Sequence, residues 1–126
     1  IEDDNGHGTH VAGIISALEN GKGVIGVAPE AGLYAIKALN EKGSGYVSSI
    51  IKGIDWSIKN DMDIINLSIG ATQYSRSFHD AIKKAVDEGI IIVSASGNNG
   101  GEVNYPAKFS EVIAVSAIDS DNEVPS

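Results

Sequence analysis

The chain has 126 residues, 42% of them hydrophobic and 21% charged, which is enough for one domain with a real core. A formal charge of −8 excludes the basic face that nucleic acid or an anionic membrane would require, and no apolar run approaches the roughly 18 residues of a membrane span. With no cysteine there is no disulfide, thiol nucleophile or Cys-ligated zinc, and the opening Ile1-Glu2-Asp3-Asp4 does not read as a charged-then-apolar targeting leader.

The first motif is Asn5-Gly6-His7-Gly8-Thr9-His10-Val11-Ala12-Gly13. Val11, Ile14, Ile15 and Leu18 recur at helical spacing, so a helix over about residues 7–18 opens on His7. The flanking glycines leave room for another chain to approach the imidazole. Alone, a histidine such as this reads first as a structural residue. A glycine-rich loop over residues 19–23 follows, and Pro29 ends regular pairing there. Residues 33–39 form an apolar run of strand length that leads into a flexible loop over residues 40–45.

Val47, Ile50, Ile51, Ile54 and Ile58 predict an amphipathic helix over residues 46–60. Residues 63–69 read as a buried strand ending in Ser68-Ile69-Gly70. In the next helix Phe78, Ala81, Ile82, Ala85 and Val86 share one face, Ser77 is the expected N-cap with Asp80 three residues on, and Gly89 is the stop. That helix places His79 on its exposed side. Residues 90–95 are a β-branched run expected as a central parallel strand covered on both faces, followed by the loop at 96–101. Residues 112–118 are expected as one more buried strand.

Alternating strands and helices predict an α/β fold: a three-layer, doubly wound parallel sheet with helices on both faces. Ligands of such sheets bind beyond the carboxyl ends of the strands, here the loops at 43–45, 68–70 and 96–101. A helix opening on His7 is expected to share that side. There is no internal repeat or low-complexity segment, and the ends read as those of an excerpt.

These segments resemble, in order and spacing, the central part of a subtilisin-like serine protease, the subtilase family. His7-Gly8-Thr9-His10-Val11-Ala12-Gly13 is similar to the catalytic-histidine signature, Asn66-Leu67-Ser68-Ile69-Gly70 to a substrate-binding strand, and Ser96-Gly97-Asn98-Asn99-Gly100 to the oxyanion-hole segment. The resemblance covers essentially all 126 residues. It implies an incomplete subtilisin-like fold: a partial peptidase domain over residues 1–126, truncated at both ends.

By that resemblance His7 is the general base and Asn98 the neutral donor to the oxyanion. Asn98 also fits a turn asparagine with left-handed backbone, as does Asn99. Gly43, Ser44 and Gly45, with Ser68, Ile69 and Gly70, resemble the two edges between which the family clamps an extended peptide. Ser94, Ala95, Ser96 and Gly97, with residues 99–104, border the pocket for the side chain before the scissile bond. Val47 and Ile69 line a further apolar pocket. Serines and glycines at such places are otherwise ordinary loop residues.

Leu18, Asn20, Lys22 and Val24 match positions that in many relatives bind calcium through oxygen atoms, so the resemblance implies no catalytic cofactor but admits a structural calcium in the full-length protein. His10 stands one helical turn from His7, without the glutamate or third ligand of a zinc site. Tyr105-Pro106 falls where relatives have a cis peptide. The implied partners are a polypeptide bound as an extended strand, and a propeptide; nucleic acid and membranes are not expected. The resemblance favours secretion over an intracellular branch of the family.

The family's catalytic aspartate and serine have no counterpart here: Asp3 and Asp4 lie too close to His7, no Gly-Thr-Ser-Met segment occurs, and Ser126 is read as the end of a loop. These 126 residues alone are therefore expected to be inactive, and not to melt in one sharp, reversible transition. The alternative is a subtilase-like pseudoenzyme or peptide-binding module. A nucleotide-binding sheet would need a Gly-x-Gly-x-x-Gly or Gly-Lys-Ser/Thr loop, and neither occurs.

Overall fold

A computed structural model describes residues 2–124; Ser126 lies outside the described residues. Two compact units divide the chain, Ile1–Ile50 and Ile51–Ser126.

The first unit is built on α1 (His7–Ser16), which begins on His7 as expected and ends two residues before Leu18. The Gly6 backbone is left-handed at φ 92, a conformation open to glycine because it lacks a Cβ. At the other end the chain folds back, with the Gly26, Val27 and Ala28 amides donating to the carbonyls of Ala17, Ile14 and Ile15. Gly26 is required there, since a Cβ would collide with the Ser16 and Ala17 backbone.

Residues 33–39 are not a strand, contrary to the sequence reading. A strand exists only through a ladder with a neighbour. Among the described residues, no ladder of backbone hydrogen bonds pairs this run with a neighbouring strand. The following loop closes on itself through Asn40, whose carbonyl accepts from Gly43 and whose side chain accepts from the Lys42 and Ser44 amides. The unit boundary falls within α2 (Val47–Lys59). Its predicted stripe is real: Ile50 and Ile54 are buried.

The second unit holds β1 (Ile64–Leu67), α3 (Arg76–Asp87), β2 (Ile91–Ala95) and β3 (Ile113–Val115). The strands form an open, wholly parallel sheet in the order β1-β2-β3, with Ile65 opposite Ile92 and Val93 opposite Ile113. Helices flank it. α3 packs on β2 through a face that buries Phe78, Ala81, Ile82 and Ala85, and Lys84 of α3 meets Asp55 of α2 at 3.3 Å. Complete burial of an isoleucine or phenylalanine contributes roughly 1.5–3 kcal/mol, so Phe78, Ile82 and Ile92 carry much of this core.

Burial along the strands departs from expectation. β2 is central, but it alternates: Ile92 and Ser94 are buried whereas Ile91 is 51% exposed. Its register partner Ile64 is 61% exposed, and β3, expected to be buried, exposes Ile113 and Val115. A period-2 alternation is the mark of a sheet covered on one face. Only the face carrying Ile65 and Ile92 is packed in this way.

The start of α3 is also shifted. Ser75, not Ser77, is the N-cap: its backbone is extended at φ −130, and its hydroxyl accepts from the Phe78 amide. Ser77 already lies in the first turn, beside the Ser75 hydroxyl. Gly89 ends the helix as expected, at φ 90 with its amide on the Val86 carbonyl.

Candidate active site

In the first unit, the imidazole of His7 stands on the opening residue of α1 and is exposed. What orients that turn is Asp3. One carboxylate oxygen accepts from the Thr9 hydroxyl and the Thr9 amide (2.8 Å), the other from the amides of Gly6 (2.9 Å) and Asn5 (3.1 Å). These donors, the Thr9 hydroxyl foremost, hold the Asp3 carboxyl well below the usual carboxylate range. Negative charge is favoured at a helix N-terminus, where amides lack partners within the helix. Asn5 completes the frame by accepting from the His7 amide at 3.3 Å and donating to the Glu41 carbonyl at 2.8 Å.

Gly43, Ser44 and Gly45 lie in the exposed loop before α2, and Val47 is the first residue of that helix. Gly43 has φ 71, and a Cβ on Gly45 would strike the Ala38 carbonyl and the Leu39 side chain. The glycines are thus demanded by the loop's own packing. Leu18, Asn20, Lys22 and Val24 lie on the exposed loop after α1, where Gly21 and Gly23 have positive φ and the Asn20 side chain accepts from the Lys22 amide at 3.1 Å. No backbone hydrogen bond among the described residues uses the carbonyls of Leu18, Lys22 or Val24. Those oxygens suit a hard cation in kind.

The second unit brings the remaining candidates together at the carboxyl ends of β1 and β2. Ser68, Ile69 and Gly70 continue from β1; Ser94 and Ala95 end β2, and Ser96, Gly97, Asn98 and Asn99 follow. Two backbone ties join these ends. The Asn104 amide donates to the Ser96 carbonyl at 2.8 Å, and Tyr105 forms an antiparallel bridge with Ala71. The Ser94 hydroxyl is buried and donates to the Leu67 carbonyl at 2.9 Å, a further link from β2 to β1.

Between the two ends stands Asn104, which the family resemblance assigned only to a pocket border. A Cβ on Gly97 would lie 2.6 Å from its Nδ2, and one on Gly70 would lie 3.1 Å away. Gly97 also has φ 118, so two separate constraints select glycine there. Asn98 and Asn99 are exposed, and their carboxamides make no hydrogen bond within the described residues. A free neutral donor beyond a rigid strand can serve a charge that develops only during reaction.

The 104–111 segment is fixed by aromatic packing. Phe109 is buried, with the His79 ring stacked on it at 4.1 Å and Phe78, Tyr74 and Tyr105 around it. Tyr105-Pro106 is cis. His79 is consequently not the exposed surface residue that helical spacing predicted: it is half-buried, with Nε2 facing Glu111 and Nδ1 facing the Tyr74 hydroxyl. Helix periodicity could not reveal these partners, because Glu111 lies 32 positions away.

Among the described residues no group of three or more acidic or histidine side chains is arranged to hold a metal ion, and no helix is long and apolar enough to cross a membrane.

An open parallel sheet flanked by helices, with polar groups gathered past its carboxyl edge, defines an α/β protein of the kind that works at its strand ends. The chain belongs to the subtilase family, peptidase family S8, whose profile matches residues 1–126. It is 57% identical over 127 residues to the minor extracellular protease Epr of Bacillus subtilis, covering 99% of this chain and 20% of that protein. It is 52% identical to a thermostable alkaline protease of Halalkalibacterium halodurans, covering 96% of this chain and 34% of the relative. Subtilisin DY of Bacillus licheniformis is 50% identical, with 94% and 45% covered. The chain thus spans less than half the length of each of these relatives.

Proposed function

We propose that the full-length protein is an extracellular serine endopeptidase that hydrolyses peptide bonds through an acyl-enzyme. The observation that carries this reading is the continuous subtilase match over residues 1–126, with the histidine signature on the first turn of α1 and Asn98 following β2. The 57% identity to a protein named as an extracellular protease supports the location.

His7 removes the proton from a serine hydroxyl as the oxygen attacks the substrate carbonyl, then returns it to the leaving amine. Asn98 Nδ2 donates to the oxyanion of the tetrahedral intermediate. Gly43, Ser44, Gly45 and Val47, together with Ser68, Ile69, Gly70 and residues 94–97 and 99, receive the polypeptide as an extended strand. A propeptide would use the same main-chain recognition. The Leu18, Lys22 and Val24 carbonyls and the Asn20 side chain would hold a structural calcium, which takes no part in the chemistry.

The aspartate and serine of the triad are not among these 126 residues, so the segment by itself has no turnover.

The test is labelling of the full-length protein with a fluorophosphonate, which reacts only with an activated serine. Labelling is expected, and His7→Ala should nearly abolish it. A correctly folded protein that takes no label overturns the reading in favour of a peptide-binding module on the same fold.

A further inference from the structure

We propose that Asn99 is a site of spontaneous backbone modification, in which the Gly100 nitrogen attacks the Asn99 side-chain carbon. The Gly100 amide first loses its proton to solvent base. A C–N bond then forms between that nitrogen and Cγ, Nδ2 takes a proton back from solvent, and its bond to Cγ breaks so that it leaves as ammonia. The cyclic imide so formed is opened by one water molecule at either carbonyl, giving aspartate or isoaspartate. No oxidant or other co-reactant is involved.

Three asparagines of this chain precede a glycine, namely Asn5, Asn20 and Asn99. Glycine matters because it has no Cβ to shield the attacking nitrogen. All three asparagines are exposed, so hydrogen bonding decides between them.

At Asn5 both partners are held. The Gly6 amide donates to the Asp3 carboxylate at 2.9 Å, and a negative charge beside it opposes formation of an amide anion. The carboxamide is itself held at both ends, by the Glu41 carbonyl and the His7 amide. At Asn20 one restraint remains, the Lys22 amide donating to the side-chain oxygen at 3.1 Å. At Asn99 neither the carboxamide nor the Gly100 amide has any hydrogen bond within the described residues. The backbone is bent through residues 98–102, and Gly100 stands in open space. The order of reaction is therefore Asn99, then Asn20, then Asn5.

The position gives the modification a consequence, which rests on the oxyanion role proposed for Asn98. A carboxylate at residue 99 adjoins the donor that must stabilise a negative charge, so turnover declines as the reaction proceeds. The loop would then set a working lifetime for the enzyme.

The test incubates the full-length His7→Ala variant, which cannot digest itself, at mildly alkaline pH. Peptide mapping then follows the exchange of ammonia for water, and isoaspartyl methyltransferase labels the isoaspartate. Conversion at Asn99 ahead of Asn20 and Asn5, and slowed by Gly100→Ala, is expected. Conversion of Asn20 or Asn5 as early as Asn99, or an Asn99 that persists after the other two have reacted, overturns the proposal. In parallel, wild-type turnover should fall in step with Asn99 conversion, each preparation being compared with its own start. Conversion without loss of turnover overturns the lifetime role alone and leaves the modification standing.

Discussion

His79 and Glu111 face each other across 3.1–3.2 Å, the imidazole Nε2 donating to both carboxylate oxygens while its ring lies flat on Phe109. An ionised carboxylate can only accept, so Nε2 carries a proton, and Nδ1 lies 3.4 Å from the Tyr74 hydroxyl. The pair fastens the first turn of α3 to the segment that carries Asn104. Hydrogen bonds from the Glu111 backbone amide and then from His79 lower the Glu111 carboxyl from its ordinary value. A depressed carboxylate stabilises the fold above its unfolded value, and that contribution is lost as pH falls through the folded one. Glu111→Gln should therefore lower the melting temperature of the full-length protein at neutral pH, with the deficit closing in acid. His79→Ala should cost about 1 kcal/mol through the lost stacking alone, read from denaturant unfolding.

Asp3 makes a second pH-dependent contribution, and the sign is the same. Its carboxyl is lowered chiefly by the Thr9 hydroxyl, so its stabilisation is complete above the ordinary carboxylate range and disappears only in strong acid. Asp3→Asn should speed hydrogen exchange at the Gly6 and Thr9 amides at neutral pH. In strong acid, where Asp3 is itself neutral, wild type and variant should exchange alike.

Gly97 and Gly70 should respond differently to alanine because both face Asn104 but only Gly97 has a positive φ. Overpacking of this kind costs about 1–3 kcal/mol. Removing the carboxamide by Asn104→Ala should rescue Gly70→Ala largely and Gly97→Ala only in part. Unfolding free energies of the double mutants give the coupling directly.

Ser94 tests whether the hydroxyl of a residue that meets the peptide through its main chain serves the substrate or the sheet. Its hydroxyl is buried on the Leu67 carbonyl, so Ser94→Ala should cost about 1 kcal/mol of stability. KM for a peptide substrate should change little. A variant of full stability with a raised KM would reverse that assignment.

For the proposed chemistry, Asn98→Ala should slow turnover by about 100- to 1,000-fold with little change in KM, a size measured within this family for loss of one oxyanion donor. Steady-state kinetics of the full-length protein separate the two parameters.

The sequence made the helices legible because their apolar residues repeat at 3.6: α1 began on His7, α2 buried Ile50 and Ile54, and α3 stopped at Gly89. The parallel strands were found by their apolar runs, but such runs do not say which face is covered. Ile91 and Ile92 look alike in sequence, and only the packing of α3 separates them. Residues 33–39 illustrate the same point, since an apolar run becomes a strand only when a neighbour pairs with it. Residue type does not separate Ser75 from Ser77, and the extended backbone that makes Ser75 the cap is not written in the sequence. The place of Asn104 was hidden because the glycines it meets follow two different strands, Gly70 after β1 and Gly97 after β2.

The bond from the Asn104 amide to the Ser96 carbonyl has an evolutionary corollary. It closes residues 97–103 into a ring anchored at its base, beside the bridge of Tyr105 to Ala71. Lengthening a closed loop costs little, only about 0.6 kcal/mol for each doubling. Insertions at residues 100–103, beyond Gly97, Asn98 and Asn99, can thus be drawn by mutation without shifting β1 or β2, which makes the far side of the ring a natural cassette for grafting new surface onto an unchanged frame.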